Sequence, residues 1–410
     1  MNISLINQGL RRCSWVPGSA LKGRPGTTAE FFRILLGRSV PWLIAGGFAL
    51  AAAVGAEAQT ARPVEHFNYV FGTQTFGPSY HFTAASPVVE TAGAIAALGS
   101  NTIKFQLKPT ADGERTLAEI ARSDPVIKTV IDMPFANLLM WVYPPATRAR
   151  LFDSTTLGTE YSELYDLTRY LRQTYSGTGK VFFLGNWEMD NHLTASRKKE
   201  PSPELLRDVT AWVATRQRAV DDAKRDTPGA DVEVYYYLEV NLVWDAIAGR
   251  PRAANTVLPA TRVDYVSYSA YDSLLPDPEQ KLPQALDYLQ SQLQPKDGLS
   301  GKRVFIGEYG FPADRYSPQD QDTLSRRVMR TGVGWGCPFV LYWEVYNNEV
   351  RDGRQRGFWL IDDMGRKQPV YLTLQQYYRN ARVWVTDFLR QQQRLPSSME
   401  FGGAAVQWLQ

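Results

Sequence analysis

From about residue 66 onward, short apolar runs alternate with longer stretches whose apolar positions recur every three to four residues. That rhythm predicts repeated βα units and a parallel sheet. Eight runs read as strands: Tyr69–Gly72, Asn101–Gln106, Ile127–Met133, Lys180–Glu188, Val232–Glu239, Arg262–Ala270, Lys302–Tyr309 and Pro338–Glu344. Each is short and mostly apolar, as expected of strands covered on both faces. Helix signals fall between them. Ser86-Pro87 opens one helix and Leu98-Gly99 closes it, while Ser202-Pro203-Glu204 and Ser317-Pro318 precede helical patterns over Leu205–Asp226 and Gln319–Thr331. Gln284–Leu293 and Leu372–Leu389 carry the same helical spacing. Eight such units predict an α/β fold, a closed (β/α)8 TIM barrel over residues 59–395, with 396–410 as a C-terminal tail. A doubly wound open sheet is the alternative. It would want a glycine-rich phosphate loop after the first strand, and Gly72-Thr-Gln-Thr-Phe-Gly77 has too few glycines for one.

The first 58 residues read differently. Arg33 and Arg38 precede an apolar segment, 40–56, and Ala56-Glu57-Ala58 offers a small-residue cleavage pattern before Gln59. This is the layout of an export signal, so the mature protein is expected to be periplasmic or secreted. The segment is at the short end for a membrane span, and retention as an inner-membrane anchor is the other reading. Of the overall charge of +3, this leader carries six cations against Glu30 and Glu57, which leaves the remainder at −1. A nearly neutral body has no electrostatic footprint for a phosphate backbone, so no nucleic-acid partner is expected. With two Cys, Cys13 and Cys337, and three His, a His/Cys metal site is not expected either. Aromatic residues make up 12%, with 11 Trp and 21 Tyr. That content fits a large aromatic core or rings that stack on sugars.

In such barrels chemistry sits at the C-terminal ends of the strands. The fourth run ends in Phe182-Phe-Leu-Gly-Asn-Trp-Glu188-Met-Asp-Asn191 and the seventh in Val304-Phe-Ile-Gly-Glu308-Tyr-Gly310. A carboxylate at the rim of an apolar core costs several kcal/mol unless compensated, so two such residues on opposed strands point to use. Paired carboxyls are what glycoside hydrolysis needs. A gap of ~5–5.5 Å favours retention of anomeric configuration and ~6.5–9.5 Å inversion.

Several strings resemble the clan A glycoside hydrolases. Ile306-Gly-Glu308-Tyr-Gly310 is similar to their nucleophile motif, Asp264-Tyr-Val-Ser-Tyr-Ser-Ala-Tyr271 to their sixth strand, and Val340-Leu-Tyr-Trp343-Glu to their eighth. The stretch Gly357–Tyr371 resembles the approach to their last helix. The resemblance implies a retaining double displacement with Glu188 as acid/base and Glu308 as nucleophile. It also implies a tyrosine that hydrogen-bonds the nucleophile, Tyr271 with Tyr268 in reserve, and a sugar-lining Trp343. One position departs. Where the family has Asn directly before the acid/base, this chain has Trp187, with Asn186 one residue earlier. A bulge could still bring Asn186 to the substrate. Glu239 and Asp190 are the replacements for Glu188 if it does not serve.

Other residues complete the expected cleft. Lys104 and Gln106 alternate along the second strand and can both point inward. Trp141 and Tyr143, read as lying in a long segment after the third strand, can stack on sugars or pack the loop. His192, Asn347, Asn348 and Glu349 sit on loops near these motifs. The reading is thus an exported glycoside hydrolase acting on a poly- or oligosaccharide without a cofactor. The alternatives are a non-catalytic polysaccharide-binding barrel of an export or biofilm assembly, and an inverting enzyme in the same cleft.

Overall fold

A computed structural model describes residues 63–110, 115–194 and 199–410. The leader expected over 1–58, with its segment 40–56, lies outside the described residues. Among the described residues, no helix is long and apolar enough to cross a membrane.

The sheet is a closed barrel of eight parallel strands. They are β1 (Phe71–Thr75), β2 (Thr102–Leu107), β3 (Asn137–Val142), β4 (Val181–Gly185), β5 (Glu233–Val240), β6 (Tyr265–Ser269), β7 (Val304–Tyr309) and β8 (Val340–Tyr342). Each strand pairs with the next, and β1 closes on β8 with Gly72 opposite Leu341. The helices are α1 (Pro87–Leu98), α2 (Leu117–Ser123), α3 (Pro125–Asp132), α4 (Leu157–Thr174), α5 (Met189–Leu193), α6 (Pro203–Arg225), α7 (Val243–Ile247), α8 (Pro278–Gln292), α9 (Pro318–Trp335), α10 (Pro369–Gln392) and α11 (Ser398–Gln407). The serine-proline starts of α6 and α9 form as expected, with Ser202 Oγ accepting from the Leu205 N–H and Ser317 Oγ from that of Asp320. Within 396–410, α11 buries Phe401, which meets the Trp384 ring of α10 at 6.1 Å.

One expected strand is a helix. Ile127–Met133 falls in α3, because the Asp124 carboxylate caps the N–H groups of Val126 and Ile127 and Pro125 fills the first helical position. The third strand is Asn137–Val142, the next apolar run along the chain. Trp141 is therefore a strand residue, paired with Gln106 on one side and Gly185 on the other, and not part of a loop. The fourth run ends sooner than expected, at Gly185, so Asn186, Trp187 and Glu188 form the turn into α5.

Inward side chains stack in layers. An aromatic plug of Phe183, Tyr235, Tyr265, Phe305 and Phe339 has neighbouring ring centroids 5.0–5.6 Å apart. Above it come Gln74, Lys104, Glu239 and Ser267, all buried. Gly307 is what admits this polar layer. A Cβ there would lie 1.7 Å from Ser267 Oγ and 3.4 Å from Glu239 Oε2. Gly307→Ala is accordingly expected to cost ~1–3 kcal/mol by overpacking, read as a lowered urea midpoint, and to displace Ser267 from Glu239. An unchanged midpoint would contradict this packing.

A buried ion pair fixes the strand tips that bear the site. Arg216 of α6 meets Glu160 of α4 at 2.8 Å and donates to the carbonyls of Val142 (2.6 Å) and Gly185 (3.4 Å). One guanidinium thus satisfies the carbonyl ends of β3 and β4, directly beneath the turn that carries Glu188.

Candidate active site

The centre of the site is a buried ammonium shared by two carboxylates. Lys104 Nζ donates to Glu239 Oε2 at 2.5 Å, to the Gly307 carbonyl at 3.2 Å and to Glu308 Oε1 at 3.3 Å. Lys104 and Glu239 are fully buried and Glu308 is 3% exposed. Nζ also lies 4.9 Å from the Trp141 ring centroid, which provides a second, quadrupolar partner. Ser267 Oγ donates to Glu239 Oε2 at 2.8 Å. Burial pushes the Glu308 carboxyl well above the usual carboxylate range. Lys104 works against that shift, while Glu239 and Glu188 add to it by like-charge repulsion.

Glu188 stands at the tip of the turn after β4, ahead of α5, and is 7% exposed. Its Oε2 accepts from the amide of Asn191 and, at 2.9 Å, from that of Asn241. Its backbone N–H donates to Glu239 Oε1 at 3.3 Å. Glu239 therefore ties the two strand tips together, through the Glu188 backbone on one side and through Lys104 to Glu308 on the other. With Glu188, Glu239 and Glu308 against one ammonium, a single bound proton reduces the net negative charge of the cluster from two to one. A two-carboxyl hydrolysis begins with one such proton.

Aromatic rings wall this centre. Phe76 and Trp141 have centroids 3.8 Å apart, and Trp343 stacks near both, 5.5 Å from Phe76 and 6.4 Å from Trp141. Trp187 is half-buried and tilted 54° to Trp141 at 6.3 Å, and its backbone N–H donates to Tyr143 Oη at 2.8 Å. Tyr271 is half-buried in the combined field of Glu308, Glu349, Glu188 and Glu344. Burial first, and those charges next, push its phenol well above its ordinary value, so it remains a donor. Gln106 is half-buried at the end of β2 beside Trp141.

Other expected residues are engaged elsewhere. Tyr268, the reserve tyrosine, points out of the barrel because Ser267 takes the inward position, and its hydroxyl meets Asp272 and Ser273. The Asn186 amide is held by backbone, donating to the carbonyls of Trp187 (3.0 Å) and Glu239 (3.4 Å), which leaves Oδ1 as its free group. Asn347 pins the loop after β8. Its amide donates to the Glu349 carbonyl and to Gln355, and its Oδ1 accepts from the Phe358 N–H. Glu349 accepts from the Trp343 indole at 3.2 Å, and Asn348 donates to the Phe76 carbonyl. His192 packs between Phe152 and Trp187, where burial lowers its pKa. Asp190 accepts from the Ala253 and Asn241 N–H groups, and burial raises its pKa to about 7. It positions Asn241 and does not face the opposed carboxyls.

Asn191, Asn241 and Glu344 belong to the site although the sequence reading did not single them out. Asn241 lies just past the end of β5, two residues after Glu239, and that spacing was its only signal. Glu344 is buried, and its Oε2 accepts from the Phe76 N–H. Burial raises its pKa strongly. Trp141 Nε1, Asn186 Oδ1, Asn241 Oδ1 and Glu344 Oε1 are buried without a protein partner. Buried polar atoms are nearly always hydrogen-bonded, so each of these is open to a water or a ligand hydroxyl. Among the described residues, no group of three or more His, Cys, Asp or Glu side chains is placed to hold a metal ion.

Fold and site together define a (β/α)8 barrel with opposed, buried carboxyls at the C-terminal ends of β4 and β7. No protein-family model and no curated protein matches the sequence. Among solved structures, the barrel is similar to a GH5_18 from Bifidobacterium longum subsp. infantis, at 15% identity and a TM-score of 0.52, covering 76% of this chain and 78% of that one. Xylanase 10B from Thermotoga maritima matches at 12% identity and a TM-score of 0.49, over 79% of this chain and 99% of that one. A GH39 β-xylosidase from Caulobacter crescentus matches at 14% and 0.48, over 77% and 71%. At such identities the likeness to the first of these shows the fold, the barrel that the resemblance to clan A implies.

Proposed function

We propose that this protein is a retaining glycoside hydrolase of poly- or oligosaccharides, exported by the leader at its N-terminus. The observation that carries the reading is the pairing of buried Glu188 and Glu308 at the tips of β4 and β7, joined through Glu239, which accepts from the Glu188 N–H at 3.3 Å and from Lys104 Nζ at 2.5 Å, itself 3.3 Å from Glu308. In the first step a Glu308 oxygen attacks the anomeric carbon as the glycosidic C–O bond breaks, and Glu188 gives its proton to the departing oxygen. In the second step Glu188 takes a proton from water, the water oxygen bonds to the anomeric carbon, and Glu308 leaves as carboxylate. Asn191 and Asn241 orient the Glu188 carboxyl, and Lys104 favours the ionised form of Glu308.

The capture of the Asn186 amide by two backbone carbonyls favours a second reading, a barrel that binds polysaccharide without cutting it. Proton NMR of the first-formed sugar, taken before mutarotation, separates the possibilities. Retention of the anomeric configuration is expected. Inversion would replace the mechanism, and binding of a polymer with no new reducing ends would favour the binder.

A further inference from the structure

The loop after β8 carries a two-stranded hairpin, β9 (Val350–Arg351) and β10 (Arg354–Gln355), that the mechanism above does not use. Asp352 and Gly353 both take positive φ, 51° and 74°, which gives the two-residue primed turn that suits a tight hairpin. This turn sets Arg351 directly opposite Arg354. Like charges placed opposite one another on a β-ribbon destabilise it. Among the described residues, neither arginine has a carboxylate within ion-pair distance. The nearby carboxylates of Asp314 and Glu349 are taken instead by Arg356, at 3.4 and 2.6 Å. A cavity of about 320 Å³ opens between Asp314, Arg351, Asp352, Arg354 and Gln355.

The hairpin is fastened to the cleft at both ends. Before it, Glu349 accepts from the Trp343 indole. After it, Arg356 lies 4.9 Å from the Phe358 ring, which stands edge-on to Tyr271. The rim beyond β2 and β3 repeats the sign. Arg148, over the Tyr143 ring, lies close enough to Lys108 to lower its pKa, after burial has done so. Cations thus lie on both flanks of the aromatic wall, on the hairpin side beside the carboxylates of Asp314, Glu349 and Asp352.

We propose that the Arg351/Arg354 pair is a subsite for the carboxylate of an acidic sugar, so that the polymer bound in this cleft is a polyuronate. Two guanidinium forks facing one another can each take a planar carboxylate in paired hydrogen bonds, which removes their mutual repulsion. A neutral glycan offers them nothing comparable. The inference rests on the glycoside hydrolase reading for the identity of the cleft.

The test uses the full chain carrying Glu308→Gln, so that cleavage does not intervene, and measures equilibrium binding by calorimetry. The probes are sodium polygalacturonate, the same polymer with its carboxyls reduced to alcohols, and dextran sulfate. Polygalacturonate is expected to bind at least about tenfold tighter than its reduced form. Adding Arg351→Gln and Arg354→Gln should remove most of that advantage and flatten its salt dependence. Both side chains lie on a solvent-facing hairpin, and an unchanged circular dichroism spectrum and melting curve would confirm the fold. Equal binding of native and reduced polymer, an advantage that survives the double substitution, or binding of dextran sulfate alone would each overturn the proposal. Failure of the hydrolase reading looks different: the wild type would bind polygalacturonate through the arginines yet release no reducing ends from any polymer. Cleavage of neutral glucans without polyuronate binding would sink the subsite and leave hydrolysis standing.

Discussion

Glu308→Gln is expected to lower turnover on the order of 10³-fold or more for every glycoside, whatever its leaving group. The amide is nearly isosteric but is not a nucleophile, so no glycosyl-enzyme can form. Glu188→Gln should behave differently. A polysaccharide alkoxide leaves poorly without a proton, and losing the acid should cost about 10²–10⁴-fold. A dinitrophenyl glycoside has a leaving group stable as an anion, so its first step needs no proton and should retain much of its rate. Product release from it should then show a burst, because the second step still lacks its base. Steady-state and pre-steady-state kinetics on both substrates check this. If Glu188→Gln lowers both substrates equally, Glu188 is not the acid/base. If Glu308→Gln retains turnover, the nucleophile lies elsewhere, and Glu239 is the next buried carboxylate in line.

The parts of this site that were legible in the sequence share one property: their signal is local. A carboxylate following an apolar run, as in Val304-Phe-Ile-Gly-Glu308, marks a strand tip at the rim of a core, and the structure places Glu308 there. The alternation that turned Lys104 inward needed only the strand's two-residue period. What failed was also local, but ambiguous. Ile127-Lys-Thr-Val-Ile-Asp-Met133 is short and apolar enough for a strand, and only the Asp124-Pro125 start marks it as helix. The Lys104 contacts with Glu239 and Glu308 were beyond reach for another reason. They join residues 135 and 204 positions apart, and although strand order gives which strands oppose one another, nothing along the chain records which carboxylates the Lys104 side chain reaches. The roles of Asn186 and Tyr268 turned on single-residue parity at strand ends. There a run expected to reach Glu188 stops at Gly185, and Ser267 takes the inward place.

Lys104→Met should damage both stability and activity, by a mechanism that pH can expose. The substitution leaves Glu239 and Glu308 buried without their shared cation. Breaking such a pair by removing one partner typically costs about 3–5 kcal/mol. Methionine fills most of the volume, so the loss should come from uncompensated charge more than from a cavity. The pH dependence separates the two. Burial already raises the pKa of Glu308, and Lys104 opposes that rise, so the variant's carboxyl should titrate higher still. A group whose folded pKa lies above its unfolded value favours the folded state at pH below the unfolded pKa, and that support is lost as pH rises through the folded pKa. The melting-temperature gap between Lys104→Met and wild type should therefore be wide at neutral pH and narrow as the buffer is taken down toward the ordinary carboxylate range. Activity should follow the same titration. A nucleophile works only when ionised, so the acidic limb of the kcat/KM profile should move to higher pH. Lys104→Arg, which keeps the charge, should restore part of that limb even if its bulk costs stability. A melting gap independent of pH together with an unmoved acidic limb would make Lys104 a filler of the barrel core and leave Glu308 to be held ionised by some other group.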